Sequence, residues 1–223
     1  MECHDHVKKP LLVDSQYFPS IHYFLLLMQH GEIYVDGHEN MAKASYRNRC
    51  HIASPDGQLA LTVPLEHGRH QRRAVKDVVI FNELDWQKKH WDTLCSAYRR
   101  SPYFEYYEDS LYALFYKPYS NLLLLNTDML NWVITKLKLE IKYEFTTRYN
   151  DNKDGSYHDW RGRIQPNEGK SLSPIDTQQV HYHQVFEDRL GFLPNLSILD
   201  LLFALGPRSV EYLNNSISKC DHS

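Results

Sequence analysis

Leu11-Leu-Val-Asp-Ser-Gln16-Tyr-Phe-Pro-Ser-Ile21-His-Tyr-Phe-Leu-Leu-Leu-Met-Gln-His-Gly31-Glu-Ile-Tyr-Val-Asp36 is the stretch whose reading decides the fold. Leu11 to Val13 is apolar, and Asp14 to Ser20 is a turn-like passage. Ser20 suits the N-cap of a helix over about Ile21 to Gln29, which His30-Gly31 ends. Glu32 to Asp36 then reads as a second strand. Strand, loop, helix and strand in this order begin an α/β unit, whose right-handed crossover sets the two strands parallel. Polar residues between the first strand and its helix then lie at the carboxyl edge of the sheet, where ligands bind in such folds.

Outward from this unit, the chain predicts strands at about Arg49 to Ala53 and Gln58 to Pro64. Ser54-Pro-Asp-Gly57 joins them as a hairpin turn. A further strand is expected at Val75 to Phe81. From Asp85 the period changes: Trp86, His90, Trp91, Leu94 and Tyr98 recur at helical spacing and share one face. A second helix is expected at Phe104 to Tyr116, and a third, capped by Asn126 or Thr127, through Leu137. Lys142 to Tyr149 alternates like a strand. Residues 150–174 are rich in turn formers and read as a long loop. A short helix follows His181 to Glu187, and Ser197 to Leu205 reads as the last strongly apolar helix. The fold class is α/β: a strand-helix-strand start with a small mixed sheet, packed by a largely helical C-terminal half. One domain over 11–213 with flexible ends, 1–10 and 214–223, accounts for the chain.

The 223 residues carry 25 basic and 28 acidic side chains, a formal charge of −3. No basic field of the kind that binds nucleic acid is present. The longest apolar runs fall far short of the ~20 residues that span a bilayer. Cys3, Cys50, Cys95 and Cys220 form no CxxC pair, and with no signal-peptide pattern at the start a cytoplasmic setting is expected. The spacing leaves the oligomeric state open.

Lys43-Ala-Ser-Tyr-Arg47-Asn48-Arg49 concentrates three cations and an amide beside a strand. Arginine forks match carboxylate or phosphate, so an anionic ligand is one reading, and a solvated strand edge is the plainer one. His90, flanked by Lys89 and Trp91, is a candidate general base, although its helical face groups it with buried aromatics. His181 and His183 alternate on one strand face, but without a third ligand at fixed spacing they define no metal site. Asp159 and Arg161 are a candidate local ion pair in the long loop or part of a closing lid. There is no GxSxG elbow, phosphate loop or GxGxxG turn.

Taken in order, Gln16-Tyr17-Phe-Pro19, Arg47-Asn48-Arg49, Leu61-Thr-Val-Pro64, Lys89-His90-Trp91 and Pro102-Tyr-Phe-Glu-Tyr-Tyr107 resemble the WbqC-like protein family. Tyr182-His-Gln184-Val-Phe186, Gly191 to Asp200 and Gly206-Pro207 continue the resemblance over about residues 11 to 213. It implies a bacterial cytosolic protein of surface-polysaccharide, O-antigen-type biosynthesis. Beside it, the residues suggest a transferase acting on a nucleotide-sugar or acyl donor, or a non-catalytic binding protein of the same pathway; no cofactor is indicated. Gln16, Tyr17, His22, Lys43, Arg47, Asn48 and Arg49 are expected to converge on the anionic group. His90 is the proton-transfer candidate, and Asp36 or Asp200 orients it or a sugar hydroxyl. Lys89, Trp91, Gln184 and Asn195 complete the expected substrate contacts.

Overall fold

The structure, a computed structural model, describes residues 9–66, 73–167, 171–173 and 181–218. Of the expected flexible ends, 1–8 and 219–223 fall outside them, whereas 214–218 are helical. Strand β1 (Leu11–Asp14) is buried along its whole length, and helix α1 (Ile21–Met28) follows it. Strand β2 (Ile33–Asp36) then lies parallel to β1, with Leu11 opposite Ile33 and Asp14 opposite Asp36. Helix α1 is apolar around nearly its full circumference, which suits a helix enclosed on all sides.

The hairpin forms as expected, from β3 (Arg49–Ser54) and β4 (Gly57–Thr62). Gly57 has φ +117°, a conformation that side chains with a Cβ rarely adopt, and it makes the tight turn possible. Val75 to Phe81 differs from the expected strand: it is a 3-10 turn at Val75–Asp77 followed by isolated bridges, Leu65 to Ile80 and Val79 to Asn121. Its apolar residues plug the core singly instead of extending a ladder.

Helices α2 (Trp86–Tyr98) and α3 (Phe104–Phe115) match their periodicity, and Trp86, His90, Trp91, Leu94 and Tyr98 are all buried. Helix α4 (Leu122–Leu137) starts earlier than expected, because Asn121 is its cap, accepting from the Leu124 N–H at 3.1 Å. That leaves Asn126 inside the helix, facing the core.

Strand β5 (Glu144–Phe145) is only the paired centre of the expected Lys142–Tyr149 strand and lies beside β2. Strand β6 (His158–Asp159) lies within the stretch expected to be loop, and it pairs parallel with β1. The four-stranded order is β5-β2-β1-β6, every neighbouring pair parallel, while the hairpin and the isolated bridges are antiparallel. Helices α5 (Glu187–Leu190), α6 (Ile198–Leu205) and α7 (Ser209–Ser218) complete the C-terminal half, with α6 and α7 packed on α1. The chain is therefore α/β with a largely helical C-terminal half.

Gly206 ends α6 with φ +56°, and a Cβ there would lie 2.3 Å from the Tyr103 ring. Gly206→Ala is expected to lower unfolding free energy by about 2 kcal/mol or more. Gly31→Ala, where a methyl meets no atom within 4 Å, should shift it by less than about 0.5 kcal/mol. Urea unfolding of the two variants makes the comparison.

Candidate functional site at the sheet edge

Strands β1, β2 and β6 all end in aspartate: Asp14, Asp36 and Asp159. Because the strands are parallel, the three carboxylates stand on one edge. Like charges so close repel, and two arginines answer them. Arg47 grips Glu39 with a fork, Nε donating to Oε1 at 2.8 Å and Nη2 to Oε2 at 2.6 Å. Its third nitrogen lies 3.5 Å from Asp14. Arg161 donates to both Asp159 oxygens at 3.0 and 2.6 Å, and also to Asp36.

The remaining valences are supplied locally. Asp36 accepts from the His38 N–H at 2.8 Å and from the Thr146 hydroxyl at 2.9 Å. Asp14 accepts from the Gly162 N–H at 3.1 Å. Asn126 donates to the Arg47 carbonyl at 2.8 Å and to Ser15 Oγ at 2.9 Å, fixing the turn that carries Arg47. Burial pushes the Glu39 carboxyl up to about 7; Arg47 opposes the shift, and the Asp14 and Asp36 carboxylates add to it. Arg161 is held protonated by Asp159 and Asp36 against the pull of burial.

Arg47 is 2% exposed. Its anions are the protein's own carboxylates, which corrects its expected place among open contacts to a ligand anion. Asp36 likewise bonds Arg161, Thr146 and His38 and does not orient His90. Gln16 is buried, with Nε2 at 3.5 Å from Asp14. Tyr17 is buried with its hydroxyl 3.0 Å from His90 Nδ1, and the Thr62 backbone is the other partner of that imidazole. Burial lowers the pKa of His90 to about 4.

The other candidates divide between places. Lys43, Asn48 and Arg49 line an open groove of about 580 Å³ with Met41, Val63 and Leu65. Asn48 donates to the Val63 carbonyl at 2.9 Å, tying the cationic turn to β4's exit. His22 and Asn195 meet at a second pocket, where the His22 N–H donates to Asn195 Oδ1 at 3.0 Å. Lys89 is exposed on α2, and Trp91 packs in the core against Phe104, Tyr112 and Phe115. Asp200 is buried and accepts from Tyr98 and Tyr182 hydroxyls, both at 2.7 Å, and from Gln184 at 3.2 Å. Gln184 also brackets Leu193, accepting its N–H at 2.8 Å and donating to its carbonyl at 2.9 Å. That pair braces the C-terminal segment.

Sequence reasoning missed Glu39 and Asn126 as site residues, and it weighed Asp159 with Arg161 as a local pair or part of a closing lid, not as partners of Asp36. The usable signal was the aspartate ending both Leu-Leu-Val-Asp14 and Ile-Tyr-Val-Asp36. His181 and His183 both meet Glu187, at 2.5 and 3.3 Å, so the acidic partner lies four residues beyond the second histidine. Among the described residues no group of three or more His, Cys, Asp or Glu could hold a metal, and no helix is long and apolar enough to cross a membrane.

A parallel sheet whose aspartate edge is bound by two arginines, flanked by a cationic groove, defines a small α/β protein with its polar chemistry gathered beyond the strand ends. The chain belongs to the WbqC-like protein family, whose profile matches residues 14–165. It is also similar to uncharacterized protein Rv1507c of Mycobacterium tuberculosis (strain ATCC 25618 / H37Rv), 25% identical over 93% of this chain and 98% of that protein. No solved structure matches.

Two outcomes follow from the burial. Arg47→Ala strands Glu39 and Asp14 without their cation and is expected to cost about 3–5 kcal/mol of stability, measured by urea unfolding. His90 and His22 both have pKa values lowered by burial to about 4, against 6.5 for a free imidazole. The unfolded chain therefore protonates first on acidification. The stability these neutral rings preserve is complete above about pH 6.5 and falls toward pH 4, by up to about 3 kcal/mol per ring. In His90→Gln the acid loss due to that ring disappears, so its stability gap to the native chain should narrow between pH 7 and pH 4.5.

Proposed function

We propose that this chain is a transferase of bacterial surface-polysaccharide assembly, of the O-antigen type. In this reading it holds the phosphate-bearing end of an activated sugar or acyl donor in the groove between Lys43–Arg49 and Thr62–Leu65. The carrying observation is the groove itself: Lys43, Asn48 and Arg49 lie along one wall, with Met41, Val63, Pro64 and Leu65 supplying apolar surface. An ammonium and a guanidinium offer charge-assisted donors to phosphate oxygens, and the apolar wall accepts a ring or an acyl chain. Arg47 and Arg161 each bind two carboxylates of the sheet edge, so those carboxylates are already engaged away from the groove. Donor handling of this kind belongs to the cytosolic stage of glycan synthesis.

His90 stands behind this groove, since its partner Thr62 is one of the lining residues. Buried and bonded to the Tyr17 hydroxyl, it is a positioning group for the wall, and the group that takes the acceptor's proton comes with the acceptor or from the groove surface. The same feature favours a second reading, a binding protein that presents the donor to another enzyme without turning it over.

Thermal shift with UDP-glucose and with acetyl-coenzyme A separates the donor classes. Ligand at a hundred times its dissociation constant stabilises a fold by about 2.7 kcal/mol. Lys43→Ala combined with Arg49→Ala is expected to weaken the binding donor at least tenfold while melting near the native temperature. Unchanged affinity in that double variant removes the reading. Binding without release of UDP or coenzyme A, tested with extracted glycan acceptors, selects the binding protein over the transferase.

A further inference from the structure

The second pocket, about 220 Å³, lies where the order of the parallel sheet reverses. From β1 the chain adds β2 and then β5 on one side, and β6 returns to the other side of β1. The crevice beyond the carboxyl ends of strands at such a switch point is where α/β sheets receive ligands. Here it is entered by His22 in the first turn of α1, which follows β1, and by Gln165 and Pro166, which follow β6.

Its chemistry differs from that of the cationic groove. The described lining residues include no Asp, Glu, Lys or Arg. His22 adds no charge at neutral pH, because burial lowers its pKa to about 4. Hydrogen-bonding capacity is dense all the same, from the amides of Gln58, Gln165 and Asn195 and the hydroxyls of Ser171 and Ser173. Tyr46, Leu172 and Pro194 add apolar surface.

A helix N-terminus ordinarily attracts anions, but here its donors are taken. The Ile21 N–H donates to the Leu196 carbonyl at 3.0 Å and the His22 N–H to Asn195 Oδ1 at 3.0 Å, both neutral acceptors. The first backbone N–H groups of the helix are therefore not open to a phosphate. The bond from His22 also settles the Asn195 amide: a backbone N–H can only donate, so Oδ1 is the bound end and the NH2 is the end offered to the pocket. Gln165 is held similarly, its Nε2 donating to the Gly162 carbonyl at 2.6 Å, which leaves Oε1 as its acceptor end. Donor and acceptor ends are thus fixed in advance on adjoining walls.

We propose that this pocket binds one uncharged pyranose ring, a neutral hexose or N-acetylhexosamine residue. Among the described lining residues none carries a charge, which disfavours uronic acids and free amino sugars, and fixed amide donors and acceptors suit ring hydroxyls or an acetamido group. Tyr46 with Leu172 meets the apolar face that a pyranose presents. The volume decides the size: drug-sized ligands occupy about 300–1,000 Å³, so this pocket takes a single ring and not a nucleotide. The proposal rests on the reading above in one respect only, that the ring is the acceptor or sugar part of the reaction whose donor lies in the groove.

Saturation-transfer NMR tests it, using the methyl glycosides of glucose, galactose, mannose, N-acetylglucosamine and N-acetylgalactosamine, with methyl galacturonide and methyl glucosaminide as charged counterparts. At least one neutral glycoside is expected to give a saturable signal. Leu172→Trp, which fills the pocket, should abolish it, and Gln58→Ala, on the exposed hairpin, should weaken it at least threefold. The Lys43→Ala and Arg49→Ala double variant should leave it unchanged, so loss of donor binding in the groove and loss of sugar binding here are separate results. Absence of any saturable neutral signal, a preference for the charged glycosides, or a signal that survives Leu172→Trp in a variant of native melting temperature overturns the proposal.

Discussion

Asp14 and Asp36 stand opposite each other at the ends of adjacent parallel strands, and the rest of the structure accommodates that opposition. Two buried carboxylates in register would repel each other in a medium that screens poorly. Arg47 and Arg161 resolve the conflict from opposite directions. Arg47 comes from the turn that opens the hairpin and Arg161 from the segment that follows β6, so satisfying the aspartates also sets the positions of both connections. Removing either cation uncovers a charge in the interior, and the geometry is therefore held by an electrostatic requirement as well as by packing.

The two open concavities are by-products of that arrangement. Once Arg47 turns inward to Glu39 and Asp14, its neighbours Lys43, Asn48 and Arg49 are left on the outer side of the same turn, where they line the groove. Tyr46, one residue before Arg47, lines the other pocket. A single 3-10 turn at Tyr46–Asn48 thus contributes to both recesses, the groove with its cations and the pocket whose described lining residues carry none. The hairpin is shared as well, Gln58 near its tip belonging to the neutral pocket and Thr62 at its exit to the groove.

The opening strand, helix and strand were legible because their periodicity and caps agree with the tertiary result, as were α2 and α3. Boundaries failed where a polar residue had two possible duties. Asn126 resembled a cap, but Asn121 caps α4, and Asn126 serves Ser15 and the Arg47 carbonyl from the helix interior. Strand β6 was unreadable because two residues, His158 and Asp159, carry no alternation, and only the waiting edge of β1 makes them a strand. At the site, the cationic turn stood out by composition, yet no local pattern reveals that Arg47 points inward while Arg49 lines the groove. That difference depends on Glu39 and Asp14, and pairing between residues distant along the chain leaves no mark on spacing. His90 behaved as its aromatic helical face indicated: a satisfied interior imidazole bonded to Tyr17.

The placement of β1 has a consequence for how the molecule is made. It lies in the middle of the sheet, yet the contacts that finish its far side come from residues near the other end of the matched region; the Gly162 amide that completes Asp14 is 148 positions away. Closing so long a loop before its contacts form slows folding relative to helical neighbours. A nascent chain emerging from the ribosome therefore carries a strand with one edge unpaired until the segment bearing Trp160 has been synthesised. Assembly of this small protein is a late event, governed by its latest-arriving strand, and the interval before it is when self-association competes with correct closure.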